Sequence, residues 1–230
     1  MTVQFGDTTI LVTRPEPGAS ETARRLAERG FTPIIAPILT IARRTPTLPP
    51  TAQAILVTSA NSLAPGLPTR PLFTVGDTTA AKARALGHTD VTSAGRDAAS
   101  LASLAADRLD PDAGPLLLLS GGGQGLDLAA ALRAHGFCVI RRVAYTARPV
   151  TTLPPQAAAM LAAGHGHALF FSPDTARAFA RLLVPPPVTL SAIQAIAISP
   201  ATAAALAPLP WARIRVASHP NQDAMFALLP

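Results

Sequence analysis

The feature that most constrains the fold of this chain is a pattern of strand, loop, helix and glycine that occurs twice. The first copy runs from the apolar residues 9–13 to Gly30 and Phe31, and the second from residues 116–120 to Gly136 and Phe137. Helical spacing is expected between the two strands of each copy, and a glycine then ends the helix. A duplicated unit of this kind predicts two domains of similar architecture.

Three further elements, each a strand followed by a helix start, also occur in pairs. Residues 55–61 correspond to 169–174, residues 72–80 to 195–203, and residues 90–109 to 213–229. Short apolar strands that alternate with helices predict parallel sheets with helices on both faces. We therefore predict an α/β fold of two similar doubly wound parallel-sheet domains, with ligand sites beyond the carboxyl ends of the strands.

Two arginine-rich segments, residues 37–44 and 141–148, are predicted to be a pair of exposed strands. The second alternates so that Val143, Tyr145 and Ala147 share one face, as in a half-exposed strand. Prolines flank both segments, which fits a pair of exposed connecting strands.

Composition limits the classes of protein and of partner. The 230 residues suit one large α/β unit or two of about 100 residues each. The single cysteine, Cys138, excludes an internal disulfide and is predicted to be a buried small hydrophobe. No stretch approaches the roughly 20 apolar residues of a membrane span, so a cytoplasmic protein without a membrane partner is expected.

The net charge of +6 comes largely from arginines scattered along the chain, which favours a polyanionic ligand. Aromatic residues make up only 4% of the chain and no helix-turn-helix pattern occurs, which argues against nucleic acid as the partner. A small ligand that carries several carboxylates or phosphates explains the charge equally well. His165 and His167 have no cysteine or acidic cluster beside them, so no metal site is expected.

Several polar residues lie where parallel strands are predicted to end. Thr79 and Thr202 occupy equivalent places at predicted helix N-termini, where they could bind carboxylates or simply cap the helices; the same alternatives hold for Ser59 and Ser172. The loop of residues 120–125 contains four glycines but lacks the Lys-Ser/Thr of a P-loop, and Leu126 breaks the dinucleotide-binding pattern. We interpret it as a flexible cradle for carboxylates.

The order and spacing of several motifs resemble the uroporphyrinogen-III synthase family over nearly the whole chain. The motifs are Val12-Thr13-Arg14-Pro15, Pro37-Ile38 with Ile41, Thr58-Ser59, Val75-Gly76-x-x-Thr79-Ala80, Val143-x-Tyr145, Phe170-Phe171-Ser172-Pro173 and Pro200-x-Thr202. The resemblance implies a discontinuous α/β domain of residues 1–36 plus 149–230, an inserted α/β domain of residues 45–140, and a two-stranded linker of residues 37–44 and 141–148. It also implies domains that open and close on the substrate.

The implied reaction is the cyclisation of hydroxymethylbilane, a linear tetrapyrrole with eight carboxylates, with loss of water and inversion of the last pyrrole ring. The resemblance assigns Tyr145 as the catalytic proton donor. The predicted substrate-binding residues are Arg14, Ser59, Gly76, Thr79, Ser120, Gly121, Gly122, Ser172 and Thr202. No cofactor is implied, and a cytoplasmic monomer that contacts the preceding pathway enzyme transiently is expected. The alternative is a non-catalytic two-domain protein that binds a phosphate- or carboxylate-bearing metabolite.

The chain departs from this pattern in two places. The loop of residues 60–71 is too short for a full helix after its strand, and Pro65-Gly66 interrupts it further. Ser199 stands at the position that corresponds to Gly76 in the other half. Both departures change the expected shape of the ligand site without changing the predicted fold.

Overall fold

The chain forms two compact units in the computed structural model, which describes residues 5–230. Unit 1 takes in Met1–Thr40 and Arg148–Pro230, and unit 2 takes in Ile41–Ala147. Each unit is built around its own β-sheet. No helix in the described residues has the length and apolar character needed to cross a membrane.

The secondary structure alternates strands and helices along most of the chain. The strands are β1 (Thr9–Val12), β2 (Thr32–Ile35), β3 (Leu39–Arg43), β4 (Ala54–Val57), β5 (Leu72–Thr74), β6 (Val91–Ser93), β7 (Leu116–Gly121), β8 (Val139–Pro149), β9 (His167–Phe170), β10 (Gln194–Ala197) and β11 (Arg213–Val216). The helices are α1 (Gly18–Ala27), α2 (Asp77–Ala85), α3 (Ala98–Arg108), α4 (Leu126–Ala134), α5 (Pro155–Ala163), α6 (Pro173–Leu182), α7 (Pro200–Leu206) and α8 (Gln222–Phe226).

The sheet of unit 1 has five strands in the order β11-β10-β9-β1-β2, and every neighbouring pair is parallel. Its three inner strands, β10, β9 and β1, are buried on both faces, as is typical of parallel sheets. Leu11, Ala168 and Phe170 belong to the core shared with α5, α6 and α7. Ile10 and Leu169, one residue along, belong to the core shared with α1 and α8. The alternation of strand side chains therefore divides the apolar residues between two helical layers.

His167 opens β9 inside this sheet and makes the stability of unit 1 depend on pH. Its side chain is buried, and Nδ1 has no hydrogen-bond partner among the described residues. Burial lowers the pKa of His167; Asp7 opposes this shift and Arg215 adds to it. The unfolded chain therefore binds more protons than the folded chain below about pH 6.5, and the free energy of unfolding decreases as the pH falls.

We expect His167→Leu to flatten this dependence between about pH 7 and 5, since the variant has no imidazole to protonate at this buried position. The measurement is urea unfolding at several pH values, followed by the fluorescence of Trp211, the only tryptophan, which lies in unit 1. His219→Gln, at an exposed histidine of the same unit, is the control. An equal loss of stability with acid in the wild type and in His167→Leu would contradict this assignment.

The sheet of unit 2 has six strands in the order β3-β8-β7-β4-β5-β6. The five strands from β8 to β6 are parallel to their neighbours. Helices α3 and α4 pack on one face of this sheet, and α2 packs on the other. The strand β3 lies at the edge beside β8, where the N–H of Arg44 donates to the carbonyl of Ala144 at 2.8 Å.

The two sheets have the same spatial order once the duplicated segments are matched. The order β2-β1-β9-β10-β11 in unit 1 corresponds strand by strand to β8-β7-β4-β5-β6 in unit 2. These are the same pairs that the sequence repeat predicts, and two similar doubly wound α/β sheets are therefore confirmed. The units differ in the path of the chain, because β1 and β2 precede the rest of their unit and β7 and β8 follow it.

The predicted alternation of residues 141–148 is wrong in detail because β8 contains a bulge. Ser120 pairs with Val143 but Gly121 pairs with Tyr145, so two residues of β8 face one residue of β7. Ala144 and Tyr145 are consequently both buried, at 7% and 4% exposure. Ala147, predicted to share the face of Tyr145, is exposed. A bulge changes the direction of the following side chains, and bulges are common beside functional sites.

The loop of residues 60–71 and Cys138 can also be compared with what the sequence predicts for them. The loop of residues 60–71 contains only a 3-10 turn, Ala60–Ser62, as its length and its prolines indicate. The prediction that Cys138 is buried is wrong, since the cysteine is exposed between the buried residues Phe137 and Val139. Side chains alternate in direction along the extended run of residues 137–140, so its overall apolar character does not decide which residues face the core.

Candidate active site

Each sheet has a switch point, where the chain leaves two neighbouring strands towards opposite edges of the sheet. In unit 1 this switch point lies between β1 and β9, because α1 and α6 cover different faces. In unit 2 the equivalent point lies between β7 and β4. Ligands of doubly wound sheets bind at the carboxyl ends of the strands beside such a point. The loops after these four strands are therefore the candidate sites, and most of the predicted site residues lie on them or close to them.

Arg14 lies at the switch point of unit 1, directly after β1. Its guanidinium carbon is 4.4 Å from the centre of the Phe171 ring, which follows β9. Nη1 donates hydrogen bonds to Thr22 Oγ1 and Gln222 Oε1, both at 3.4 Å. The two strand ends are also joined by Thr13, whose hydroxyl donates to the carbonyl of Leu169 at 2.6 Å. The chain thus holds a cation on an aromatic platform at the end of the sheet.

The electrostatic state of Arg14 fits an anion site. Burial lowers the pKa of its guanidinium, and the charge of Glu16 opposes this shift. Arginine nevertheless keeps its proton at neutral pH. None of the ion pairs between described residues involves Arg14. A desolvated cation held by two long, neutral hydrogen bonds retains donors that a carboxylate could use.

Two hydroxyl pairs cap the helices that follow β9 and β10. Ser172 Oγ accepts from the N–H of Thr175 at 3.1 Å and lies 2.9 Å from its hydroxyl. Ser199 and Thr202 repeat this arrangement at 3.3 and 3.0 Å. Both helices begin with the pattern Ser-Pro-x-Thr. Ser172 therefore caps α6, whereas Thr202 is bonded to Ser199, the cap of α7, and the predicted contact of Ser172 and Thr202 with substrate stays a prediction.

Unit 2 has a cavity of about 270 Å³ beside its switch point. Thr58, directly after β4, lines it together with Gln124, Gly125 and Asp127, which come from the glycine-rich loop and the first turn of α4. Thr58 Oγ1 is buried and makes no hydrogen bond to the described residues. The cavity thus combines an unpaired hydroxyl with the loop that the sequence analysis selected.

The glycine-rich loop of unit 2 is braced rather than free. The N–H of Gly122 donates to the carbonyl of Tyr145 at 2.8 Å. The N–H of Gln124 donates to the carbonyl of Gly121 at 3.0 Å. The fully buried Ser120 donates to the carbonyl of Gln124 at 3.0 Å. Arg141 donates to both Ser120 Oγ and the Gln124 carbonyl. These groups of Ser120 and Gly122 hold the loop in place, and their contact with substrate stays a prediction.

Tyr145 lies against this loop with its hydroxyl held in a defined position. Its O–H donates to Gln124 Oε1 at 3.0 Å, and Gln124 lines the switch-point cavity. A Cβ atom added to Gly121 would come within 2.7 Å of the Tyr145 ring, so glycine is needed there for the ring to pack. The bulge in β8 and the missing side chain at Gly121 together bring the phenol next to a residue of the cavity wall.

The remaining predicted residues of unit 2 lie after β4 and β5. Ser59 accepts a hydrogen bond from the N–H of Asn61 at 3.3 Å and caps the short 3-10 turn. Gly76 precedes α2, and a Cβ atom added there would meet no atom within 4 Å. Open space at Gly76 is compatible with a ligand that approaches the backbone. Thr79 is buried in the first turn of α2.

Sequence reasoning missed several residues that shape these sites. They are Phe171, Thr175 and Gln222 in unit 1, and Gln124 and Arg141 in unit 2. The repeated Ser-Pro-x-Thr pattern could have indicated Thr175. Nothing in the sequence could indicate Gln222, which reaches Arg14 from a distant helix.

The two sheets and their strand-end loops define a class of protein, the duplicated doubly wound α/β proteins that bind ligands at the carboxyl ends of their strands. Within the described residues, no group of histidine, cysteine and acidic side chains could hold a metal ion. The family model of uroporphyrinogen-III synthase HemD matches residues 20–227. The chain therefore belongs to the uroporphyrinogen-III synthase family.

Solved structures share the fold at low sequence identity. The uroporphyrinogen-III synthetase of Helicobacter pylori 26695 matches with a TM-score of 0.62 and 17% identity, over 96% of this chain and 97% of that one. A mutant uroporphyrinogen III synthase of the extremely thermophilic bacterium Thermus thermophilus matches with a TM-score of 0.52 and 17% identity, over 95% and 96% of the two chains. No curated protein sequence matches the chain.

Proposed function

We propose that this chain, as a lyase of the uroporphyrinogen-III synthase family, uses Tyr145 as its proton donor and Arg14 as a carboxylate-binding residue. The family reaction closes hydroxymethylbilane into a ring, with loss of water and inversion of the last pyrrole ring. The family match does not favour a non-catalytic metabolite-binding protein. The observation that carries the assignment is the Tyr145 hydroxyl, held at 3.0 Å from a residue of the switch-point cavity in unit 2.

The chemistry requires one proton to be delivered and one to be removed. The Tyr145 O–H protonates the departing hydroxyl, which leaves as water, and the pyrrole nitrogen stabilises the resulting cation. The substituted carbon of the last ring then attacks this cation and forms a new carbon–carbon bond. The bond between that carbon and its original bridging methylene breaks, the methylene bonds instead to the unsubstituted α-carbon of the ring, and the proton lost from this carbon restores the phenol. Gln124 accepts the O–H in the free protein, and in this proposal the substrate hydroxyl replaces Gln124 as the acceptor.

Binding of the substrate is the task of the strand-end loops. We assign its carboxylates to Arg14 and to the helix starts at Ser59, Gly76, Thr79, Ser172 and Thr202, with Ser120, Gly121 and Gly122 shaping the loop beside Tyr145. Helix N-termini and a desolvated guanidinium both favour carboxylates. Holding the linear substrate in one conformation then supplies much of the catalysis, because the productive geometry is rare in solution.

We also propose the division into functional domains at residues 1–36 plus 149–230 and 45–140, with residues 37–44 and 141–148 as the linker. In the cell the enzyme is proposed to work in the cytoplasm as a monomer and to meet the preceding pathway enzyme transiently. The family reaction needs no cofactor, because the substrate pyrroles themselves delocalise the charge.

The decisive experiment is product analysis with purified protein and fresh hydroxymethylbilane. We expect the type III isomer, since ring inversion must be enforced by the protein, whereas spontaneous closure gives the type I isomer. Isomers are separated by chromatography after oxidation to the porphyrins, and a sample without protein is the control. Accumulation of the type I isomer alone, at the rate of the control, would exclude the enzymatic function.

A further inference from the structure

Unit 2 contains a second cavity, of about 200 Å³, that none of the assigned roles uses. It lies under the loop of residues 60–71, where the chain has a single 3-10 turn instead of the helix that follows the equivalent strand β9. Part of its wall comes from the sheet, through Leu119 of β7 and Ala144 of β8. The shortened loop therefore leaves a hollow on the sheet that a full helix would fill.

The walls of this cavity combine apolar and polar residues, and its cationic residues come from one segment. Leu48, Leu67 and Leu119 contribute apolar side chains, and Arg43 and Arg44 are the charged residues among those that line it. Neither arginine belongs to an ion pair between described residues. Arg43 donates to the carbonyl of Leu63 at 2.8 Å, and both arginines are exposed. A partly apolar hollow with two cations outside any such ion pair is suited to an amphipathic anion.

Ser62 supplies an independent indication of a ligand. It lines the same cavity, is 2% exposed, and its Oγ makes no hydrogen bond to the described residues. Leaving a buried hydroxyl unpaired costs about 1–3 kcal/mol. A ligand oxygen in the cavity would pair with it.

We propose that this cavity is a binding site for a compact ring that carries a carboxylate. The ring packs on the leucines, the carboxylate pairs with Arg44, and Ser62 donates to an oxygen of the ligand. Ligand pockets commonly measure about 300–1,000 Å³, so this smaller cavity fits one ring and not a whole tetrapyrrole. Such a ring could be a free small carboxylate or one ring of a larger polycarboxylate.

The test uses 3-phenylpropionate as the probe and isothermal titration calorimetry of the full chain. We expect saturable binding that weakens about 10-fold or more for the uncharged analogue 3-phenylpropan-1-ol and for Arg44→Gln, since a charge-assisted contact is lost. Arg108→Gln, at an exposed arginine of the same unit, is the matched control and should bind like the wild type. Absence of binding, or equal affinity in Arg44→Gln and the control, overturns the proposal.

Ser62→Ala gives a second test, because the substitution should raise stability without the probe and reduce the stabilisation that the probe provides. Without the probe the variant should resist urea better than the wild type, because a buried unpaired hydroxyl has been removed. With the probe it should gain less stability than the wild type, because the ligand loses a hydrogen-bond donor. An equal gain in both proteins would mean that the hydroxyl does not meet the ligand, and would overturn its part in the site.

Turnover assays distinguish a ring that belongs to the substrate from a free small carboxylate. Only these assays rest on the proposed function. If the cavity holds one ring of the substrate, 3-phenylpropionate competes with hydroxymethylbilane and raises KM alone. If it holds a free carboxylate, the probe binds together with the substrate and changes kcat. Both outcomes require the binding seen by calorimetry, which remains measurable even in a protein without turnover.

Discussion

Tyr145→Phe is expected to lower kcat by about 100-fold or more while KM changes little, because general acid catalysis contributes about 10²–10⁴ to a rate. The change removes the O–H that donates to Gln124 and keeps the ring that fills the space beside Gly121. Loss of one hydrogen bond should cost only about 1 kcal/mol of stability. Steady-state kinetics, together with separation of the product isomers, measures the effect.

Thr146→Val is the matched control for this experiment. Thr146 is the next residue of β8, and its Oγ1 is buried without a hydrogen-bond partner among the described residues. Valine has nearly the same shape, so removal of this hydroxyl should leave turnover and isomer ratio unchanged. Turnover of Tyr145→Phe at the level of this control would show that the phenol donates no proton in the reaction.

Arg14→Met is expected to raise KM by about 10- to 100-fold, which corresponds to the loss of a hydrogen bond to a charged group. The substitution keeps an unbranched apolar stem next to Phe171 but removes the guanidinium that stacks on its ring. Stability should stay the same or increase, because a buried charge without a carboxylate partner is replaced by an apolar group. A raised KM without loss of stability would show that Arg14 binds the ligand and is not needed for the stability of the fold.

The control for Arg14 is another arginine in the same unit. Arg24 lies exposed on α1 and pairs with Glu21 and Glu28. Arg24→Gln removes the same formal charge, but exposed ion pairs contribute only about 0–1 kcal/mol, and KM should not change. Equal KM values for both variants would indicate that net charge, and not the position of Arg14, governs binding.

The sequence predicted the fold well because its evidence was periodic. Matching of Gly30 and Phe31 with Gly136 and Phe137 made α1 the counterpart of α4, and the remaining strand pairs followed in the same way. Regular spacing of apolar residues reports directly on strands and helices that are buried on known faces. In both sheets the strand order therefore agrees with the pairs of segments that the sequence repeat predicts.

The details of the sites were less predictable because they depend on contacts between distant segments. The bulge that buries both Ala144 and Tyr145 arises from the pairing of β8 with β7, and local alternation in β8 does not contain it. The stacking of Arg14 on Phe171 likewise joins residues 157 positions apart in the chain. Cys138 shows a local limit just before β8, since its two neighbours face the core and it does not.

The different chain paths of the two units have a consequence for biosynthesis on the ribosome. Unit 2 is one continuous stretch, so all strands of its sheet are available once the nascent chain has emerged as far as Pro149, the end of β8. In unit 1 the inner strand β1 is translated early, but its neighbour β9 begins only at His167. Unit 2 can therefore complete its sheet co-translationally. The edge of β1 that pairs with β9 stays unpaired until the rest of unit 1 has been synthesised.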